Sequence, residues 1–109
     1  QGASASGLSP AEAVQLINRQ KAVVIDVCEP AEYAAGHVSG ARSVPLGDLE
    51  QKLPGAVKNK ALPLILVCAS GMRSRRAMAQ AKKLGFEQAH SLKGGLAAWK
   101  EANLPIEKG

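Results

Sequence analysis

Two short, almost unbroken apolar runs dominate the chain: Ala22-Val23-Val24-Ile25-Asp26-Val27 and Leu62-Pro63-Leu64-Ile65-Leu66-Val67. Runs of this length, rich in β-branched residues, are the pattern of strands buried on both faces of a parallel sheet. Asp26 interrupts the first run and is therefore conspicuous. Upstream, Ser9-Pro10-Ala11-Glu12 supplies a hydroxyl cap, a proline at the first helical position and a glutamate three residues after the cap. Together these predict a helix start. Val14, Leu16 and Ile17 give that helix a buried side, and Asn18-Arg19-Gln20-Lys21 carries it out to solvent.

Between the two runs, Glu29-Pro30-Ala31-Glu32-Tyr33-Ala34-Ala35-Gly36 reads as a short helix closed by a left-handed glycine. A weaker strand candidate follows over residues 41–45, then a helical segment over 49–53 and a loop around Pro54-Gly55. After Cys68, the positions Ala77, Met78, Ala81 and Leu84 fall at helical spacing, and Gly85 ends that helix. A short strand over 89–92 and a helix from about 96 to 102 complete the pattern. Strands alternating with helices imply an α/β fold, its parallel sheet covered on both faces and joined by right-handed crossovers. The chain shows no repeat, low-complexity tract or interdomain linker.

A length of 109 residues fits one domain, and 46% hydrophobic with 21% charged residues is a globular composition. We therefore expect a single domain over residues 8–107, with residues 1–7 a disordered tail or a cloning remnant. Aromatics are only 3%, one each of Trp, Tyr and Phe, so the core must be aliphatic. That poverty argues against a base-stacking nucleic-acid platform. No apolar run approaches the roughly 20 residues of a membrane-spanning helix, so a soluble protein with no membrane partner is expected. The first residues carry neither an initiator Met nor a signal-like segment. A cytoplasmic site is the default reading and a periplasmic one the alternative. Two cysteines, Cys28 and Cys68, are too few for a disulfide-stapled miniprotein and read as free or reactive thiols. With two histidines they form no recognised zinc spacing, so no metal and no cofactor is expected. The net charge of +5 suits anionic small molecules or acidic partners without choosing between them.

Open parallel sheets place ligands beyond the carboxyl ends of their strands, and Cys68 stands at such an end. The segment Ala69-Ser70-Gly71-Met72-Arg73-Ser74 is short, glycine-containing and followed by a helix. Its amides can curl inward as a cradle for a thiolate, a persulfide or a bound oxyanion. The same field would lower the Cys68 thiol pKa and make it a nucleophile. The competing reading is a buried strand-end cysteine followed by an ordinary basic helix carrying Arg73, Arg75 and Arg76.

At this point the chain resembles a single-domain rhodanese. The segment from Asp26 through Val27-Cys28-Glu29-Pro30-Ala31-Glu32-Tyr33-Ala34-Ala35-Gly36-His37-Val38-Ser39-Gly40 to Ala41 resembles the signature that precedes that family's active site. Residues 68–74 resemble its active-site loop, and Gly94-Gly95-Leu96-Ala97-Ala98-Trp99 its C-terminal motif. The resemblance implies a three-layer α/β/α fold with a central parallel sheet of about five strands. It also implies sulfur transfer: Cys68 takes the outer sulfur of thiosulfate or another anionic sulfane donor and passes it from a persulfide to cyanide or a thiol. A protein donor or acceptor is a further partner it allows. The amides of residues 69–74 would stabilise the persulfide, and Arg73 would help hold the donor.

The supporting positions carry alternatives. Asp26 reads as a buried carboxylate accepting backbone or Arg42 hydrogen bonds, with direct catalysis the lesser option. His37 reads as a loop-stabilising residue and Trp99 as a core anchor. Cys28 stands where the family usually carries arginine. It either resolves the Cys68 persulfide, forms a protective disulfide or fills space. Four residues separate Cys68 from Arg73, one fewer than in the related dual-specificity phosphatases, which favours sulfur over phosphatase or arsenate reductase chemistry. A persulfide carrier or redox interaction module with little thiosulfate turnover is the second reading, and a regulatory domain with a vestigial site the third.

Overall fold

A computed structural model describes residues 7–109. Helix α1 (Pro10–Gln20) starts where the sequence predicts, with Ser9 and Glu12 closing a reciprocal capping box. Strand β1 (Val23–Asp26) follows, then α2 (Pro30–Ala35), β2 (His37–Val38) and β3 (Arg42–Ser43). A 3-10 turn leads into α3 (Leu49–Ala56), and β4 (Leu64–Val67) enters the middle of the sheet. The chain ends with α4 (Met72–Lys83), β5 (Ala89–Ser91), α5 (Gly95–Glu101) and β6 (Ile106–Glu107).

The main sheet is parallel with order β3-β1-β4-β5. Among the described residues this sheet has four strands, where about five were expected. At the edge beyond β5, Leu8 makes a one-residue parallel bridge with Leu92. The expected tail lies outside the described residues except for Gly7, which is buried.

Alternation along the central strands divides the core. Ile25, Leu64 and Leu66 face α3 and α4 through Leu49, Leu53, Ala77 and Ala81. Val24, Ile65 and Val67 face the opposite layer, where Ala13 of α1 and Trp99 of α5 are buried. Both sheet faces are thus covered, and burying each such aliphatic side chain is worth about 1.5–3 kcal/mol. Trp99 anchors its helix as expected, and its indole N–H donates to the Pro105 carbonyl at 2.8 Å.

Two local expectations are corrected. Helix α3 continues through Pro54 and Gly55 instead of breaking into a loop there. Pro54 lies in the last turns of a short helix, where one missing backbone donor is a smaller loss than unseating Leu53. Gly36 is extended, with φ 161°, and not left-handed, because the chain leaves α2 directly into β2. The pairing of β2 with β6 is antiparallel and was not anticipated. Each of those strands has only two residues, too short for a periodicity to register.

Candidate active site

Strand β4 runs straight into Cys68, whose side chain points to the α3/α4 side of the sheet and is 1% exposed. Gly71, at φ 103°, turns the chain back in a conformation that side-chain-bearing residues rarely adopt. Helix α4 begins at Met72, so the second half of the expected cradle is the first turn of a helix. Amides from this turn converge on the sulfur without forming a full ring. The Gly71 N–H donates to Cys68 Sγ at 3.0 Å and the Ser74 N–H at 3.4 Å. Met72 points outward and is 74% exposed.

Burial alone would push the Cys68 thiol up. The Ser74 N–H and hydroxyl, with the Gly71 and Ser70 N–H groups, outweigh it and hold the thiol below its ordinary value. While the thiol is protonated its S–H donates to Ser74 Oγ at 3.6 Å, and once it ionises the hydroxyl proton can turn from the Gly71 carbonyl to the sulfur. Ser74 is itself fixed, since its hydroxyl donates to the Gly71 carbonyl at 3.1 Å and shares a 2.7 Å hydrogen bond with the Ser91 hydroxyl. Ser91, buried on β5, escaped the sequence reading because nothing in its neighbourhood along the chain marks it.

Helix α5 holds the loop from below. The Leu96 N–H donates to the Cys68 carbonyl at 2.8 Å and the Ala97 N–H to the Ala69 carbonyl at 3.2 Å. The first-turn donors of α5 thereby satisfy the carbonyls that the turning loop leaves without a partner. So close an approach requires Gly95, where a Cβ would stand 2.3 Å from the Cys68 carbonyl oxygen.

Asp26 is 2% exposed, and its Oδ1 accepts the Cys28 N–H at 2.9 Å. Of the two partners expected for it, the backbone one is found and Arg42 is not. Arg42 is exposed and its guanidinium donates to the Ala56 carbonyl instead. Desolvation raises the Asp26 carboxyl above its ordinary value despite that N–H. His37 is buried on β2, stacked on Tyr33 with ring centroids 3.6 Å apart. Its Nδ1 lies 2.7 Å from the Tyr33 carbonyl, and the Tyr33 hydroxyl donates to the Ala41 carbonyl at 2.6 Å. This packing ties the signature segment together.

Cys28 and Cys68 are both free thiols packed in one core cluster. Desolvation, with the Asp26 carboxylate next to it, pushes the Cys28 thiol up to about 12. A resolving nucleophile needs a thiolate, and this environment withholds one. Arg73 departs further from expectation. Its guanidinium grips both oxygens of Glu32, Nη1 to Oε1 at 2.7 Å and Nη2 to Oε2 at 2.9 Å, so α2 is tied to α4. Along the sequence Glu32 stands out only as part of a motif, because a contact between residues 41 apart leaves no local trace. Among the described residues, no group of three or more metal-ligating side chains converges, and no helix is long and apolar enough to cross a membrane.

Residues 9–102 match the family model of the rhodanese-like domain. The uncharacterized protein YibN of Escherichia coli is 34% identical over 99 residues, covering 90% of this chain and 69% of that protein. The thiosulfate sulfurtransferase GlpE of Pseudomonas fluorescens is 35% identical over 91 residues, 84% of this chain and 82% of GlpE. The solution structure of the rhodanese-like domain of the Anabaena Alr3790 protein superimposes with a TM-score of 0.82 at 27% identity, over 94% of this chain and 78% of that one.

Proposed function

Because this chain belongs to the rhodanese-like domain family, we propose that it is a sulfurtransferase that carries sulfane sulfur on Cys68. The observation that supports this most directly is the pair of amides, Gly71 and Ser74, aimed at Cys68 Sγ from 3.0 and 3.4 Å. They favour an anion on sulfur, whether thiolate before the transfer or persulfide after it. The identity with sulfurtransferases such as GlpE adds to it.

In the first half-reaction the Cys68 thiolate attacks the outer sulfur of thiosulfate. A new S–S bond forms, the donor's S–S bond breaks, and sulfite leaves with the bonding pair. In the second, cyanide or a thiolate attacks the outer sulfur of the Cys68 persulfide, giving thiocyanate or a new persulfide and returning the Cys68 thiolate. Neither step requires an external oxidant or reductant. Asp26, by accepting the Cys28 N–H, and His37, by stacking on Tyr33, are positioning residues in this scheme. Arg42 lends nothing to the sulfur itself, since it is bound to the α3 end.

The test is the intact mass of the reduced protein before and after thiosulfate, beside Cys68→Ser. The expected result is a gain of one sulfur atom that cyanide removes and the variant lacks. No gain in the folded wild type, with thiosulfate and with a thiol persulfide alike, sinks the reading. A gain from the thiol persulfide alone identifies the protein as a carrier fed by persulfides, a reading that the prior engagement of Arg73 by Glu32 favours.

A further inference from the structure

Arg73 is the cation that the active-site loop offers to an anionic donor, yet a carboxylate already occupies it. The two parallel N–H···O contacts with Glu32, at 2.7 and 2.9 Å, are the fork geometry with which a guanidinium would grip a sulfonate. Glu32 is set in place from its own helix, because its Oε1 also accepts the Glu29 N–H at 3.0 Å. Arg73 holds the Glu32 carboxyl down to about 2, so the pair stays ionised at any working pH.

The pair stands beside the sulfur chemistry, since Arg73 lies in the first turn of α4 directly before Ser74, whose N–H reaches Cys68 Sγ at 3.4 Å. Glu32 also lines a cleft of about 220 Å³ that reaches Ala69, the residue after the nucleophile. Its other walls are Cys28, Ala35, Gly36, Leu96 and Lys100. The charged side chains that line this cleft are Glu32, whose charge Arg73 balances, and Lys100. One negative charge on a donor is matched there. The second charge of a dianion is not, and it approaches Glu32. The apolar walls Ala35, Gly36, Ala69 and Leu96 leave room for a small organic group that thiosulfate lacks.

We propose that Glu32 is a specificity-determining residue, an internal anion on Arg73 that turns the Cys68 site away from doubly charged sulfur donors and toward singly charged organic ones. The proposal rests on the sulfur-transfer reading and narrows its donor class. The comparison is between thiosulfate, a dianion, and methanethiosulfonate, a monoanion with the same kind of outer sulfur. With the latter, Cys68 thiolate takes the outer sulfur and methanesulfinate leaves with the electron pair. Both donors are assayed by thiocyanate formed from cyanide.

In the wild type, kcat/KM is expected to be higher for methanethiosulfonate. Glu32→Gln keeps an oxygen for the Glu29 N–H and removes the charge. It should lower KM for thiosulfate about fivefold, the scale of an exposed ion pair, and leave kcat and the methanethiosulfonate KM within about twofold. Equal shifts for the two donors, or none, overturn the proposal. So does a wild type that prefers thiosulfate, a measurement that does not depend on the variant folding. If Cys68 loads sulfur and the donor ratio ignores Glu32, this inference alone fails. If Cys68 loads sulfur from neither donor, the sulfur-transfer reading falls with it.

Discussion

Cys68 and Cys28 are the same residue type, both nearly buried, yet their surroundings drive their thiols in opposite directions. Desolvation acts on each. At Cys68 it is outweighed by N–H and O–H groups from residues 70, 71 and 74, whereas at Cys28 the nearby charge is the carboxylate of Asp26, which adds to it. Iodoacetamide should therefore modify native Cys68 with a pH midpoint below the ordinary thiol value, leaving Cys28 untouched. Ser74→Ala removes the hydroxyl that can donate to the thiolate and should move that midpoint up, as followed by mass spectrometry after timed alkylation. Modification of Cys28 first, or a midpoint that ignores Ser74, would contradict this account. The sequence points to Cys68 because strand, small-residue loop and helix follow one another along the chain. It cannot reveal Ser91 behind Ser74 or Glu32 on Arg73, since those partners meet only through the fold.

At the level of elements, α5 contributes less by length than by where it starts. It has seven residues, and its opening amides bind the carbonyls of Cys68 and Ala69, so the nucleophile's backbone is held between β4 and this helix. Gly95→Ala would set a Cβ 2.3 Å from the Cys68 oxygen, against backbone and at φ 58°. The expected cost is about 1–3 kcal/mol in urea unfolding, with slower alkylation of Cys68 as the loop shifts. Gly47→Ala, with nothing within 4 Å of the new Cβ, should leave Cys68 alkylation unchanged and serves as the control. The elements that sequence made legible are those whose signals are local: the Ser9 capping box of α1, the apolar runs of β1 and β4, and the periodic face of α4. Helix α3 runs past Pro54 because Leu49 and Leu53 are fully buried by the tertiary packing, which a reading by breakers alone does not weigh. Strands β2 and β6 were beyond reach for a similar reason, since their register joins His37 to Glu107 across most of the chain.

At the scale of the whole molecule, the same burial that shapes the site makes stability depend on pH. The α/β class and the position of Cys68 at a strand end were readable because β1 and β4 are apolar on both faces, whereas the electrostatic state of the site follows from three-dimensional packing. Cys28 ionises in the unfolded chain near its ordinary value of 9.0 but in the folded protein only at about 12. A pKa raised by folding means that the native state retains a proton the unfolded state gives up, so the stabilisation is complete below the unfolded pKa and is lost as pH rises toward the folded one. Cys68, with its lowered pKa, has the opposite sign and has finished titrating in both states once the pH exceeds the unfolded value. Between pH 9 and 12 the Cys28 contribution should thus fall by up to about 1.4 kcal/mol per pH unit. Lysine and tyrosine titrations are common to the wild type and Cys28→Ala and cancel in their difference. The measurement is the urea unfolding free energy of both proteins at pH 8, 9.5 and 10.5. Wild type should lose its advantage over Cys28→Ala progressively across that series, while Cys68→Ala keeps the steep alkaline decline; parallel curves for wild type and Cys28→Ala would show that the Cys28 thiol ionises in the folded protein as it does in the unfolded chain.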